Sequence, residues 1–373
     1  MEFRMAQQIP VDVDGLTATW VSQALQDRHP GVRVASVQVL EQHSSTNHHV
    51  RLGLTYDERA GAPDTLFCKM ASLDPVHRIA IGATGMGARE ARFYRDLAPL
   101  LTMRMPTCYF AASEADGAFM LLLEDLSASG CSISDGTWGV PADLALDGLE
   151  ELARMHVQFE KDADLDAIRS WVSINAPGAS DFTSHMLRQV IDNHRDALSD
   201  AYVAVAEMFI ADPAAIKAMW QAGPQTVVHG DAHIGNLFID GTHVGFLDWG
   251  LFTVGTPMRD VSYFLTMGMT TDDRRPAEAD LVRHYLRVRD ELGGSPISFD
   301  DAWTAHRVHA GYTVLASFLS LVPPYNGEEL RVFSDAFRNR AIAALDDLDT
   351  VSAMRSTEAW LRRSGGFATH PGA

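Results

Sequence analysis

The sequence predicts an α+β protein of two lobes, a small β-rich N-terminal lobe and a larger, mostly helical C-terminal one. Three observations carry this expectation. At 373 residues the chain exceeds what one hydrophobic core usually covers. Up to about residue 126 short apolar runs alternate with a period of two, and beyond it apolar residues recur at the spacing of amphipathic helices. The helical half is interrupted once, by VVHGDAHIGNLFID (227–240) and VGFLDWG (244–250), two short strands around a turn at Asp240-Gly241.

Along the chain, LTATWVSQALQDRH (16–29) predicts a helix with Leu16, Trp20, Val21 and Leu25 at helical spacing. VRVASVQVLEQ (32–42) and VRLGLTYDE (50–58) alternate as strands, joined through the polar turn QHSSTNHH (42–49). TLFCKMA (65–71) reads as a short buried strand, and IGATGMG (81–87) as a flexible connection. GAREARFYRDLAPLL (87–101) predicts one helix with Phe93, Tyr94 and Leu97 on one face. FMLLLEDL (119–126) predicts an apolar strand leading to a hinge at 121–127. ADLALDGLEELARMHVQFE (142–160) has the pattern of an amphipathic helix, and further helices are expected at 180–210, 212–222, 278–293, 299–320 and 328–362. GMTTDDRRP (268–276) is expected as a solvated loop. The expected lobes are 1–126 and 127–364, with a loose tail at 365–373.

Composition narrows the partners. A net charge of −19, from 49 acidic against 30 basic residues, argues against nucleic acid, whose phosphates need a basic footprint. Cys68, Cys108 and Cys131 are widely spaced with no CxxC pair, so neither a disulfide framework nor a thiolate zinc site is expected. MEFRMAQQIPVDVDG lacks the pattern of a signal peptide, and no apolar run approaches the ~20 residues that span a bilayer. The expectation is a cytoplasmic protein without a membrane span; oligomeric state is unreadable.

The polar cluster at 229–236 needs a reason to sit between apolar strands. Phosphoryl transfer from ATP supplies one: a carboxylate meets the attacking hydroxyl, oxygen ligands hold Mg²⁺, and a cation steadies the phosphates. The kinase catalytic loop has an Asp followed five residues later by an Asn, and a second, metal-binding Asp after the next strand. Asp231, Asn236 and Asp248 have that spacing. Lys69, flanked by apolar residues in its strand, needs an anion partner. Glu90 shares a face with Phe93, Tyr94 and Leu97, and an inward Glu with an inward Lys makes the pair that holds nucleotide phosphates. The backbone of the hinge strand, at Glu124 and Leu126, is placed to read an adenine edge.

HGDAHIGN followed by LDWG resembles the aminoglycoside phosphotransferase/choline kinase-like superfamily, including its ecdysteroid-kinase-like branch. The resemblance extends to Lys69, Glu90, LLLEDL, ELARMH (151–156) and RDVSYFL (259–265). It implies a protein-kinase-like bilobal fold and an ATP- and Mg-dependent transfer to a hydroxyl of a small molecule: an aminoglycoside, a choline-like alcohol, or a hydroxylated lipid or steroid. In that frame Asp231 is the catalytic base, Asn236 and Asp248 bind Mg²⁺, and Lys69 with Glu90 meets the phosphates. His229 opens the loop as a structural histidine and Asp260 supports it. Ser44, Ser45 and Thr46 resemble the hydroxyl-bearing phosphate loop of small-molecule kinases, in place of GxGxxG. Gly230 stands where protein kinases carry a basic residue, and no APE-type segment follows LDWG, which favours a small acceptor over a protein.

Other readings stand beside this one. His229, Asp231 and His233 could chelate a transition metal in a hydrolase, or the chain could be a nucleotide-binding pseudokinase. His156 is expected as a core histidine bonded to backbone, while His233 either contacts phosphate or braces the loop. Trp303, Tyr312 and Phe318 either line an acceptor pocket or belong to the helical core.

Overall fold

The computed structural model describes residues 8–44, 46–114, 117–160, 162–172, 179–323 and 326–364. Ser45 and the tail at 365–373 therefore lie outside the described residues. The chain divides into two units. One runs to Ile133 and takes in Phe238–Gly241 and Leu247–Leu251; the other comprises Ser134–Leu237, Thr242–Phe246 and the chain from Phe252.

The first unit opens with α1 (Ala18–Leu25), whose Thr17 hydroxyl caps it by accepting from the Trp20 N–H. Strands β1 (Arg33–Ser44), β2 (His48–Glu58), β3 (Thr65–Met70), β4 (Cys108–Ser113) and β5 (Phe119–Glu124) form one antiparallel sheet in the order β1-β2-β3-β5-β4. Alternation sorts its faces. Val50, Leu52, Leu66, Cys68, Met120 and Leu122 pack with Val21 and Leu25 in the core, while His49 and Lys69, paired across β2 and β3, belong to the other face.

Three expectations for this unit change. The β1–β2 turn is shorter than QHSSTNHH, because the strands pair as far as Ser44 with His48. IGATGMG is partly helical: α2 (Pro75–Gly82) covers its start and α3 (Met86–Arg92) its end, with Gly85 at φ 68° between them. The helix expected over 87–101 ends early, passing through a wide turn at Phe93–Leu97 and a tight one at Ala98–Leu100, where Pro99 has no N–H to continue the ladder. Strand β4, which fills the sheet's edge, was not among the expected elements. A two-residue strand, β6 (Ser132–Ile133), pairs with Ile239 and Phe238.

The second unit is helical: α4 (Ala142–Gln158), α5 (Asp162–Val172), α6 (Ala179–His194), α7 (Asp200–Ala211), α8 (Pro213–Trp220), α9 (Pro257–Gly268), α10 (Thr271–Glu291), α11 (Phe299–His309), α12 (Tyr312–Ser317), α13 (Arg331–Asp347) and α14 (Thr350–Ser364). Between α8 and α9 lie β7 (Thr226–Val228), β8 (Leu237–Asp240), β9 (His243–Phe246) and β10 (Thr253–Gly255), of which β7 and β10 pair. The long helices expected at 180–210, 299–320 and 328–362 are each two. Ser199 caps a new helix, Gly311 approaches Met354 too closely for a Cβ, and Asp349 turns left-handed at φ 44°. GMTTDDRRP is not a solvated loop. Thr270 caps α10, and Arg274 is buried in ion pairs with Glu278 (2.7 Å) and Asp347. Tyr202, Phe209, Trp220 and Phe318 belong to the main helical core, which assigns Phe318 to packing. No helix among the described residues is long and apolar enough to cross a membrane.

Candidate active site

In the β-rich unit, burial and charge converge on Lys69. Its Nζ lies 2.8 Å from Glu90 Oε2 and 3.0 Å from Asp248 Oδ1, with Lys69 and Glu90 both almost fully buried. Burial opposes the lysine's charge, but the Asp248 and Glu90 carboxylates outweigh it and hold its pKa above the ordinary lysine value. Two acids share this one cation. Burial therefore pushes Glu90 up to about 7, against the pull of Lys69. Asp248 adopts a left-handed conformation (φ 55°), uncommon for a residue with a Cβ. The turn it occupies is pinned from α3. Phe93 stacks on Trp249 with ring centroids 4.0 Å apart, and the Arg89 guanidinium donates to the carbonyls of Thr84 (2.9 Å) and Gly250 (2.5 Å).

His49 and Phe67 share the Lys69 face of the sheet and stack on each other at 5.6 Å. Burial and the neighbouring Lys69 push His49 down to about 4, so it stays neutral at physiological pH. Neither residue was singled out in the sequence, although Phe67 stands two positions before Lys69 and strand alternation alone places them together. At the turn, the Ser44 hydroxyl is bonded to His48 Nδ1 (2.8 Å), while Thr46 is half-buried. The Glu124 side chain accepts from Arg104 Nη2 (2.9 Å), Arg104 Nη1 (3.1 Å) and the Thr107 N–H (3.0 Å). Its backbone N–H donates to the Thr107 carbonyl (2.8 Å), and the Leu126 carbonyl accepts from Cys131 (3.1 Å).

In the helical unit β7 delivers His229 into a loop organised by Asp260. That carboxylate, fully buried on α9, accepts from the His229 N–H (2.6 Å), the Gly230 N–H (2.8 Å) and His156 Nε2 (3.2 Å). Burial works against ionisation, yet His156 and the backbone donors prevail and hold Asp260 below the ordinary carboxylate range. His156 is itself kept neutral by burial, so its second nitrogen accepts from the Tyr285 hydroxyl (2.7 Å). It is a core histidine as expected, but its side-chain partners are a carboxylate and a phenol rather than backbone.

Asp231 is held by Asn236, whose Nδ2 donates both to its carbonyl (2.9 Å) and to its Oδ2 (3.0 Å). Spending Nδ2 in this way leaves Asn236 Oδ1 as a hard oxygen donor, and the half-exposed Asp248 carboxylate is another; both suit Mg²⁺. His229 Nδ1 accepts from the Asp231 N–H (3.2 Å), and His233 Nδ1 accepts from the Gly235 N–H (3.0 Å). His233 Nε2 lies 3.7 Å from Asp231 Oδ2. These contacts leave the chelating arrangement of His229, Asp231 and His233 unformed. Among the described residues no group of three His, Cys, Asp or Glu side chains is arranged to hold a metal ion.

The profile of the phosphotransferase enzyme family matches residues 77–294, more than half of the chain. Comparison with curated proteins finds no match. Among solved structures, a candidate aminoglycoside phosphotransferase from Ralstonia eutropha is similar, with a TM-score of 0.51 and 16% identity, covering 89% of this chain and 98% of that one. A macrolide 2′-phosphotransferase from Brachybacterium faecium follows at TM-score 0.47 and 17% identity (90% and 98% covered). So does a choline kinase from Streptococcus pneumoniae, at 0.47 and 14% (88% and 98%). The chain has a kinase-like α+β fold and belongs to the phosphotransferase enzyme family.

Proposed function

We propose that the protein transfers the γ-phosphoryl group of ATP, with Mg²⁺, to a hydroxyl of a small molecule. The observation that carries this reading is Lys69, buried between Glu90 and Asp248, a cation of the kind that steadies nucleotide phosphates. Glu90 holds Lys69 in place, and Ser44 and Thr46 are placed to cover the phosphates. Phe67 offers an aromatic face for the base, and the backbone at Glu124 and Leu126 reads the adenine edge. Of these two, Leu126 is favoured, because the Glu124 N–H is already spent on Thr107.

Asn236 and Asp248 would hold Mg²⁺, which neutralises phosphate charge when bound. Asp231, oriented by Asn236, takes the proton of the acceptor hydroxyl as that oxygen bonds to the γ-phosphorus and ADP departs. His229, His233 and Asp260 keep the loop in shape. An enzyme using ATP this way works where ATP is plentiful, so the cytoplasm is the compartment we assign.

Thermal unfolding with and without Mg-ATP, on wild type and Lys69→Ala, tests the reading. A ligand at ~100 times its Kd adds about 2.7 kcal/mol, a shift of several degrees. Stabilisation of the wild type that is mostly lost in Lys69→Ala is expected. No shift in the wild type at saturating Mg-ATP would defeat the proposal.

A further inference from the structure

In the β-rich unit a narrow cleft of about 290 Å³ opens near the Lys69–Glu90 pair. Two rulers set its position. Ala71 lines it and continues β3, its N–H donating to the Phe119 carbonyl (3.3 Å), so it repeats the Lys69 face about 7 Å further along the strand. Gly87, on α3 one turn before Glu90, lines it as well. A Cβ at Gly87 would fall 2.1 Å from the Phe119 ring, so helix and sheet close to a gap too small for an ordinary small-molecule pocket.

Three polar side chains line the cleft, and each has capacity to spare. The Arg78 guanidinium, from half-buried Arg78 on α2, makes no hydrogen bond or ion pair among the described residues. Ser72, almost fully buried, accepts from the Asp74 N–H (3.2 Å) and keeps its own proton to donate. Asn47, only 7% exposed, has its Oδ1 buried without a partner. Among the described residues no carboxylate lines the cleft.

A buried polar atom left unmade is costly, so an occupant must bring acceptors to Arg78 and Ser72 and a hydrogen to Asn47. Water leaves the cation unneutralised, and a metal ion is repelled by it. A carboxylate or sulfate carries no hydrogen at neutral pH. A tetrahedral oxyanion with one protonated oxygen meets all three demands.

We propose that this cleft is a site for hydrogen phosphate. Its bare oxygens accept from Arg78 and Ser72, and its P–OH donates to Asn47 Oδ1. The site is distinct from Lys69, whose charge Glu90 and Asp248 already share, and it does not depend on nucleotide binding there. Free phosphate and the terminal phosphoryl group of a nucleotide share the chemistry it recognises.

The test is isothermal titration calorimetry with inorganic phosphate and with sulfate, at equal ionic strength in a buffer free of both. Wild type should bind phosphate saturably and about tenfold or more tighter than sulfate, which leaves Asn47 Oδ1 unmade. Arg78→Gln should weaken phosphate binding about tenfold or more. Asn47→Ala should shrink the preference over sulfate, and Lys69→Ala should leave both affinity and preference intact. The comparison of the two anions on wild type holds even if a variant fails to fold. A second titration in the presence of Mg-ATP separates the sources. Phosphate that still binds marks a site for the free ion, whereas displacement by Mg-ATP that weakens in Arg78→Gln marks one for the terminal phosphoryl group. Absence of saturable phosphate binding would overturn the inference, as would sulfate bound equally well. So would wild-type phosphate affinity in Arg78→Gln, or phosphate binding lost in Lys69→Ala.

Discussion

Replacing Glu90 by Gln should change the way stability depends on pH. Burial raises this carboxyl from its ordinary 4.5 to about 7. In that window the native state holds a proton that the unfolded chain has released, so stability falls as pH rises through it and the loss is complete above the folded pKa. At about 1.4 kcal/mol per tenfold change in proton affinity, the loss at high pH is about 3 kcal/mol. About 2–3 kcal/mol of it falls between pH 5 and pH 8. Lys69 stays charged throughout, because its own pKa lies above the ordinary lysine value. Urea denaturation of wild type and Glu90→Gln at four pH values, followed by tryptophan fluorescence, gives the difference curve, in which all other titrations cancel. Wild type should lose ground to the variant as pH rises. Parallel curves, or a wild type that gains relative stability, would show that Lys69 alone compensates Glu90 and would refute the picture of two acids sharing one cation.

Three further outcomes follow from the site. Asp231→Asn should lower kcat by about 10²–10⁴ while leaving the Mg-ATP melting shift intact, read from ADP release and thermal unfolding; wild-type turnover would remove Asp231 from its role. Asp260→Asn should cost several kcal/mol, because two backbone donors and His156 lose a buried charge. Since Asp260 is held below the ordinary carboxylate range, its contribution is present above about pH 4 and lost as pH falls, so the variant should show a flatter acid limb in denaturation. Gly136→Ala should destabilise by about 1–3 kcal/mol, because its Cβ would fall 1.9 Å from the Phe333 ring at a glycine with φ 83°. A melting point equal to wild type would contradict that packing.

Much of the site could be read from the sequence because its chemistry constrains local spacing. Asp231 and Asn236 sit five apart so that the Asn amide can reach back to the Asp, which it does twice. Lys69 and Glu90 were legible because an inward charge on an apolar face needs a partner. What could not be read depends on residues far along the chain. Arg274 looks solvated in GMTTDDRRP, yet it is buried in ion pairs with Glu278 and with Asp347, the latter 73 residues further along the chain. The breaks inside the long helices rest on single residues such as Asp349, whose left-handed turn has no signal in apolar spacing. Tyr312 stands out in the sequence, whereas Phe333 and Phe337, which pack near it, simply fall inside the helix expected over 328–362.

The clamp on α3 bears on how such an enzyme is controlled. In protein kinases the helix carrying this glutamate swings, and activity is switched by assembling or breaking its ion pair with the lysine. Here the same helix is tied to the Asp248 turn by a parallel ring stack and by a guanidinium bonded to the carbonyl of Gly250. Swinging it away would unstack Phe93 from Trp249 and strand buried donors. A helix clamped in this way keeps Glu90 beside Lys69 without needing a separate event to bring them together.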